Sequence, residues 1–322
     1  MKNLFYLLSM VLITLTISCN DDDNLINPTT QNPVDVYVAG QKNEQACYWK
    51  NNQLVMLDAG TFLGTESIKI IESSGDVYVL GRAYPSGGNN YGASLLWKNG
   101  VLTNLSALYF NQTLNNALII DDLDVVGNDV YLVGYTKDWS TGEFSLKTWK
   151  NNIATDLLNN NTSNVFNKPC SIKFMNNNVY VTTPDAGIYV NTTFQSVTNG
   201  IELKGIAIKN NNEIYVYGSN SNTNSVYYKN LNTNVESNNS IIQNVEKLLF
   251  DGNEMHFSSL FNIYKNSILN YSIPQTDIIK TFSVLNDNLY TIEGSNSQIL
   301  KINNVITMTT AADEVYTSLF IN

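Results

Sequence analysis

The stretch Ile68-Lys69-Ile70-Ile71-Glu72-Ser73-Ser74-Gly75-Asp76-Val77-Tyr78-Val79-Leu80-Gly81, continued by Ser94-Leu95-Leu96-Trp97-Lys98-Asn99-Gly100-Val101-Leu102-Thr103-Asn104-Leu105, decides the fold. It holds four short runs rich in β-branched and aromatic residues, each bounded by Gly, Asn or Asp. Ser74-Gly75 and Asn99-Gly100 suit type I′ hairpin turns, which need positive φ at both central residues. Four strands joined this way form one small antiparallel sheet.

The unit recurs along the chain. An apolar residue followed by tyrosine appears as Val36-Tyr37, Val77-Tyr78, Val130-Tyr131, Val179-Tyr180, Ile214-Tyr215 and Leu289-Tyr290, with Met255-His256 as the one variant. The intervals are 41, 53, 49, 35, 41 and 34 residues, an average of about 42, which is the length of a propeller blade. The third run carries an aromatic residue with asparagine two places later: Trp49-Lys50-Asn51, Trp97-Lys98-Asn99, Trp149-Lys150-Asn151, Tyr189-Val190-Asn191, Tyr228-Lys229-Asn230 and Tyr264-Lys265-Asn266. A degenerate copy ends at Asn303. Aromatics at equivalent positions of a repeat are expected to pack between neighbours.

The first repeat lacks its first run, and the chain ends on one, Thr317-Ser318-Leu319-Phe320-Ile321-Asn322. The expected fold is therefore all-β: a seven-bladed β-propeller over 34–322, closed by the C-terminal strand completing blade one. Rings of six or eight blades, and a two-domain β protein, are the alternatives.

The N-terminus is set aside first, because it reads as a targeting segment. Lys2 precedes an apolar run from Leu4 to Ile17, too short to span a bilayer. It ends at Thr16-Ile17-Ser18-Cys19, which resembles a bacterial lipobox, with Thr16 where leucine is usual. Residues 1–18 are thus expected to be a lipoprotein signal peptide and Cys19 the lipidated residue. The alternative is an ordinary cleaved signal. Residues 19–33 carry Asn20-Asp21-Asp22-Asp23 and no periodicity, as a disordered tether would.

The Val-Tyr-Val-x-Gly run followed by Trp-Lys-Asn resembles repeats of Bacteroidetes propeller lipoproteins, over nearly all the chain after residue 34. The acidic cluster behind Cys19 resembles the surface-export signal of that group. The resemblance implies an outer-membrane lipoprotein, surface-exposed or periplasmic, and implies little about its ligand.

Charged residues are 14% of the chain, and 18 basic against 28 acidic give −10. Without residues 1–18, which hold only Lys2, the balance is 17 to 28, or −11. That argues against nucleic acid and anionic membrane surfaces as partners. The membrane partner is expected through Cys19 alone, and the chain is expected to be monomeric. Cys47 and Cys170 fall in non-adjacent blades and read as free, buried thiols.

Little in the sequence recommends catalysis. His256 is the single histidine and occupies a tyrosine slot, so a histidine triad or histidine metal cluster is not expected. No phosphate loop, Cys-x-x-Cys or other cofactor motif is present. Asp121, Asp122 and Asp124 form the densest acidic cluster in the body of the chain, read as a solvated turn before blade three's first strand, with calcium ligation as the alternative. The longest loops fall around blades two to four, on the face carrying the connections between blades. They bear aromatics outside the repeat: Tyr84, Tyr91, Tyr109, Phe110, Trp139 and Phe166. Such rings suit stacking on a sugar or gripping a protein. The expected function is a cell-envelope binding module for a carbohydrate or protein partner. A carbohydrate-active enzyme using loop or channel carboxylates, and a structural part of an envelope complex, are the alternatives.

Overall fold

Asn99 follows Trp97-Lys98 with φ 51°, a left-handed conformation that asparagine tolerates better than most residues. In the computed structural model, which describes residues 34–84, 92–110, 116–161, 169–183 and 187–322, this side chain clips a hairpin together. Its Oδ1 accepts the Val77 N–H at 2.8 Å, and its Nδ2 donates to Asp76 Oδ1 at 2.7 Å. Lys98 pairs with the same Asp76 at 2.7 Å, its ammonium 5.2 Å from the centroid of the Tyr78 ring. The Asp-Val-Tyr and Trp-Lys-Asn motifs are thus two halves of one device.

The clip repeats around the molecule. Asn51, Asn151, Asn191, Asn266 and Asn303 accept the N–H of Val36, Val130, Val179, Met255 and Leu289 at 2.8 to 3.0 Å. Hydrogen bonds from Lys50, Lys98 and Lys150, then from the clip asparagines, hold Asp35, Asp76 and Asp129 below the usual carboxylate range. Blade five departs from the pattern expected of Tyr228-Lys229-Asn230. Val216 faces Lys229 there, and Asn232, not Asn230, accepts the Ile214 N–H. The cause is a longer turn, which places its left-handed residue at Asn234.

Seven four-stranded antiparallel sheets result. Their first, innermost strands are Glu314–Ile321, Thr65–Ser73, Asn116–Val126, Ser171–Met175, Ile201–Lys209, Lys247–Asp251 and Ile279–Leu285, for blades one to seven. Each touches the first strand of the next blade, all the way round. The chain is a seven-bladed β-propeller. Blade one is completed by its C-terminal strand, with Val36↔Ile321 and Tyr37↔Phe320 in register. Asp35 and Asn322 exchange backbone hydrogen bonds of 2.8 and 3.0 Å beside that pairing.

Glycine ends the Val-Tyr-Val-x-Gly run for a steric reason. In blades one, two, three and five the inner strand carries a bulge, with Thr317, Ile68, Asp121 and Lys204 as the extra residues. Gly40, Gly81, Gly134 and Gly218 lie opposite these bulges. A Cβ on any of them would come within 2.0 to 2.1 Å of a backbone oxygen of the inner strand. Blade seven carries the bulge with Glu293 in that slot, while blades four and six have Thr183 and Ser259 there and no bulge.

The core is divided among the blade boundaries. Trp97 of blade two packs with Tyr37, Ala39, Ala46 and Leu57 of blade one, and its Nε1 donates to Asp58 O at 2.7 Å. Trp149 of blade three packs with Tyr78, Leu80 and Leu105 of blade two. Trp49 is buried as well, its ring 4.9 Å from that of Tyr316 in its own blade, so the expected inter-blade role is what Trp97 and Trp149 perform. Cys47 and Cys170 are free and buried.

Gly81→Ala is expected to destabilise the protein by about 2 kcal/mol, because the inner-strand backbone must move. Asn99→Ala should cost about 1 kcal/mol through loss of the clip. Urea unfolding of both variants checks this, and a neutral Gly81→Ala would contradict the role given to the bulge.

Candidate functional site

The connections between blades and the loops joining second to third strands emerge on one end of the ring, the loop face. Tyr84 stands there after blade two's second strand, Asp76–Ala83. Its N–H donates to Gly64 O at 2.8 Å, and its ring lies so close over Gly64 that a Cβ there would come 2.4 Å from it. Gln41 of blade one donates its Nε2 to the Tyr84 hydroxyl. The half-buried ring forms one wall of an open groove of about 630 Å³, with Gln41, Asn43, Glu44 and Asp313 around it. A phenol among two amides and two carboxylates is a surface of alternating donors and acceptors beside a flat apolar ring.

Trp139 lies in blade three's corresponding loop. Asp138 Oδ1 accepts from the N–H groups of Ser140 and Thr141 at 2.8 and 3.2 Å and from the Ser140 hydroxyl at 2.5 Å. Those bonds hold the Asp138 carboxyl below its ordinary range and fix the turn, which closes at Gly142 with φ 77°. The indole remains 40% exposed, with the Lys137 ammonium 5.1 Å from its centroid.

Tyr109 and Phe110 are placed differently. What reads as a loop after Asn104 begins with a short helix, Leu105–Tyr109, whose Ala107 N–H is capped by the Asn104 side chain at 3.0 Å. The Tyr109 ring stacks on Trp149 at 5.5 Å and 18°, and its hydroxyl donates to Asn152 Oδ1 at 3.1 Å. Asn152 belongs to a turn at the opposite end of blade three. Phe110 packs against the same cluster between blades two and three. Cys19, Tyr91 and Phe166 lie outside the described residues.

The acidic cluster corrects the sequence reading. Asp121, Asp122 and Asp124 lie within the inner strand Asn116–Val126, not in a solvated turn before it, and Asp122 and Asp124 are 7% and 6% exposed. Each reaches across to the bare edge of blade four's inner strand. Asp122 accepts the Ile172 N–H at 3.0 Å and the Ser171 hydroxyl at 3.1 Å, and it pairs with Lys69 of blade two. Asp124 accepts the Phe174 N–H at 2.8 Å and pairs with Lys173 at 2.7 Å. Asp121 accepts the Cys170 N–H at 3.0 Å, while burial pushes its carboxyl up to about 7. Among the described residues no grouping of His, Cys, Asp and Glu is arranged to hold a metal ion.

His256 is 2% exposed in blade six, with neither ring nitrogen hydrogen-bonded among the described residues. Burial, then the Lys265 charge, lowers its affinity for a proton. Sequence reading passed over Gln41, Asn43, Glu44 and Asp313 because they lie at the end of a strand, in the two-residue turn after it and in a four-residue connection, away from the long loops. The proximity of their loops to Tyr84 follows only from ring closure.

No family model matches the chain, and no curated protein does. Solved structures of the same general shape do match. A quinoprotein alcohol dehydrogenase-like protein from Bacteroides thetaiotaomicron superposes with a TM-score of 0.52 at 11% identity, over 88% of this chain and 77% of that one. The computationally designed Ika8 protein gives 0.52 at 13%, over 88% and 86%. An acylaminoacyl peptidase from Pyrococcus horikoshii gives 0.54 at 9%, over 86% of this chain and half of its own. At these identities the likeness concerns the fold alone.

Removing Asp122 leaves the Ile172 N–H and the Lys69 ammonium without their acceptor. Asp122→Ala is expected to cost about 3 kcal/mol or more, measured by urea unfolding. Asp121 has the opposite sign. Its folded pKa is raised, so the native state holds the extra proton between about pH 4 and 7, and stability from this group falls as pH rises through that window. Asp121→Asn should therefore gain on the wild type from pH 4 to pH 7. A constant difference across that range would contradict the assignment.

Proposed function

We propose that this protein is an envelope binding module, lipid-anchored through Cys19, that holds a carbohydrate on its loop face. The observation that carries the reading is the Tyr84 groove: an aromatic ring fixed over Gly64 and bordered by Gln41, Asn43, Glu44 and Asp313. Sugars offer apolar C–H faces and rows of hydroxyls, and such a wall supplies stacking area and hydrogen-bond partners together. Trp139, on the next blade's loop, adds a second aromatic for a longer chain of sugars. Tyr109 and Phe110 contribute to inter-blade packing in this scheme, not to contact with the ligand.

Asp35, where the propeller begins, bonds to Asn322 and to the hairpin clip Asn51, on the face away from the loops.

A glycan panel probed with the purified protein tests the proposal. Saturable binding to one glycan class is expected, weakened roughly tenfold or more by Tyr84→Ala and by Trp139→Ala. Absence of binding by the wild type would sink the carbohydrate reading and turn the search toward a protein partner. Two carboxylates in one groove favour a second reading as a hydrolase, for which turnover of a bound glycan, lost in Glu44→Gln, is the signature.

A further inference from the structure

The inner strands place polar side chains on the propeller axis in an ordered layer. The residue paired with the variable fourth position of each Val-Tyr-Val-x-Gly run sits at one height in the ring. These residues include Lys69 in blade two, Asp122 in blade three, Ser171 in blade four, Lys247 in blade six and Thr281 in blade seven. Blade five has Gly205 at this height, and the Tyr217 hydroxyl occupies the space a side chain would take, 2.6 Å from where a Cβ would be. Lys173 lies two residues further along its strand, level with Asp124, with which it pairs.

The charges do not balance. Lys69 is matched by Asp122 and Lys173 by Asp124. Lys247 has no carboxylate within 4 Å among the described residues. Its ammonium donates to Phe282 O at 2.7 Å and to Thr281 Oγ1 at 3.3 Å, which leaves a third N–H unassigned. Phe282 also lends its ring face, 5.7 Å from the nitrogen. Burial, followed by repulsion from Lys69 and Lys173, lowers Lys247 to about 8, so at neutral pH it still carries most of its charge. The side chains of Lys69 and Lys173 each stay 26% exposed, so the lumen they face admits solvent.

We propose that this layer is a binding site for a small oxyanion, a sulfate, a phosphate or a group of that chemistry, held by Lys247 with Lys69 and Thr281 around it. Lys247 is the one of these three lysines without a carboxylate, and an anion there supplies the missing partner. Charge-assisted hydrogen bonds in such a site are short and strong because little water competes. The site is separate from the Tyr84 groove, and its ligand need not be the ligand of the loop face.

Calorimetric titration of the purified protein at about pH 7, with sodium sulfate and separately with sodium phosphate at constant ionic strength, tests the proposal. One saturable site per chain is expected, with a matching rise in melting temperature that sodium chloride does not reproduce. Lys247→Gln, which keeps a donor against Phe282, should weaken the affinity roughly tenfold or more. If that variant fails to fold, Thr281→Val should weaken it several-fold while leaving Lys247 in place. Absence of saturable heat from either oxyanion would overturn the proposal. So would affinity unchanged in Lys247→Gln, or in Thr281→Val where the first variant does not fold.

Discussion

Every blade turns the unpaired edge of its first strand toward the axis, and each buried N–H and C=O on that edge needs a partner. Side chains from the neighbouring inner strand meet part of this need. Asp122 and Asp124 take the N–H groups of Ile172 and Phe174, Lys247 takes the carbonyl of Phe282, and Thr317 takes that of Ser67. These bonds cross the blade boundaries, so they set how one sheet is placed against the next. They depend in turn on the bulges, which shift Lys69 and Asp122 into one layer.

Much of the fold was legible because the repeat is written in residues with narrow conformational uses. Asparagine in a left-handed turn position and tyrosine beside lysine define the hairpin, and both recur often enough to be counted. The shared blade was visible from a missing first run and a spare last one. Blade five misled because an aromatic-Lys-Asn match there coincides with a longer turn, and sequence alone does not say which asparagine closes it. The acidic cluster misled for another reason. Three carboxylates in four residues read as solvent-facing, and only the ring brings Lys69 and Lys173, some fifty positions away on either side, up against them. Tyr84 and Trp139 were legible as aromatics outside the repeat. Their surroundings were not, because neighbours across a blade boundary have no fixed spacing in the chain.

Charge is used in two ways here. On the turn face, Lys50, Lys98 and Lys150 pair with Asp35, Asp76 and Asp129 in the open, where water and salt screen them and the geometry of the clip matters more than the attraction. Around the axis the same residue types are enclosed and their errors of balance are costly. A chain with so few charged residues spends several of them in its interior.

The strand that begins at Val36 is the second member of its sheet, flanked by Glu314–Ile321 on one side and Gln45–Lys50 on the other. It is also the strand through which anything fastened to the N-terminus must act. A pull along its length loads both ladders in shear, so that many hydrogen bonds resist at once and the ring is not peeled open from an end. Had the chain begun with an outermost strand, the same tension would unzip it one bond at a time. The shared blade therefore works as a mechanical clasp as well as a closure.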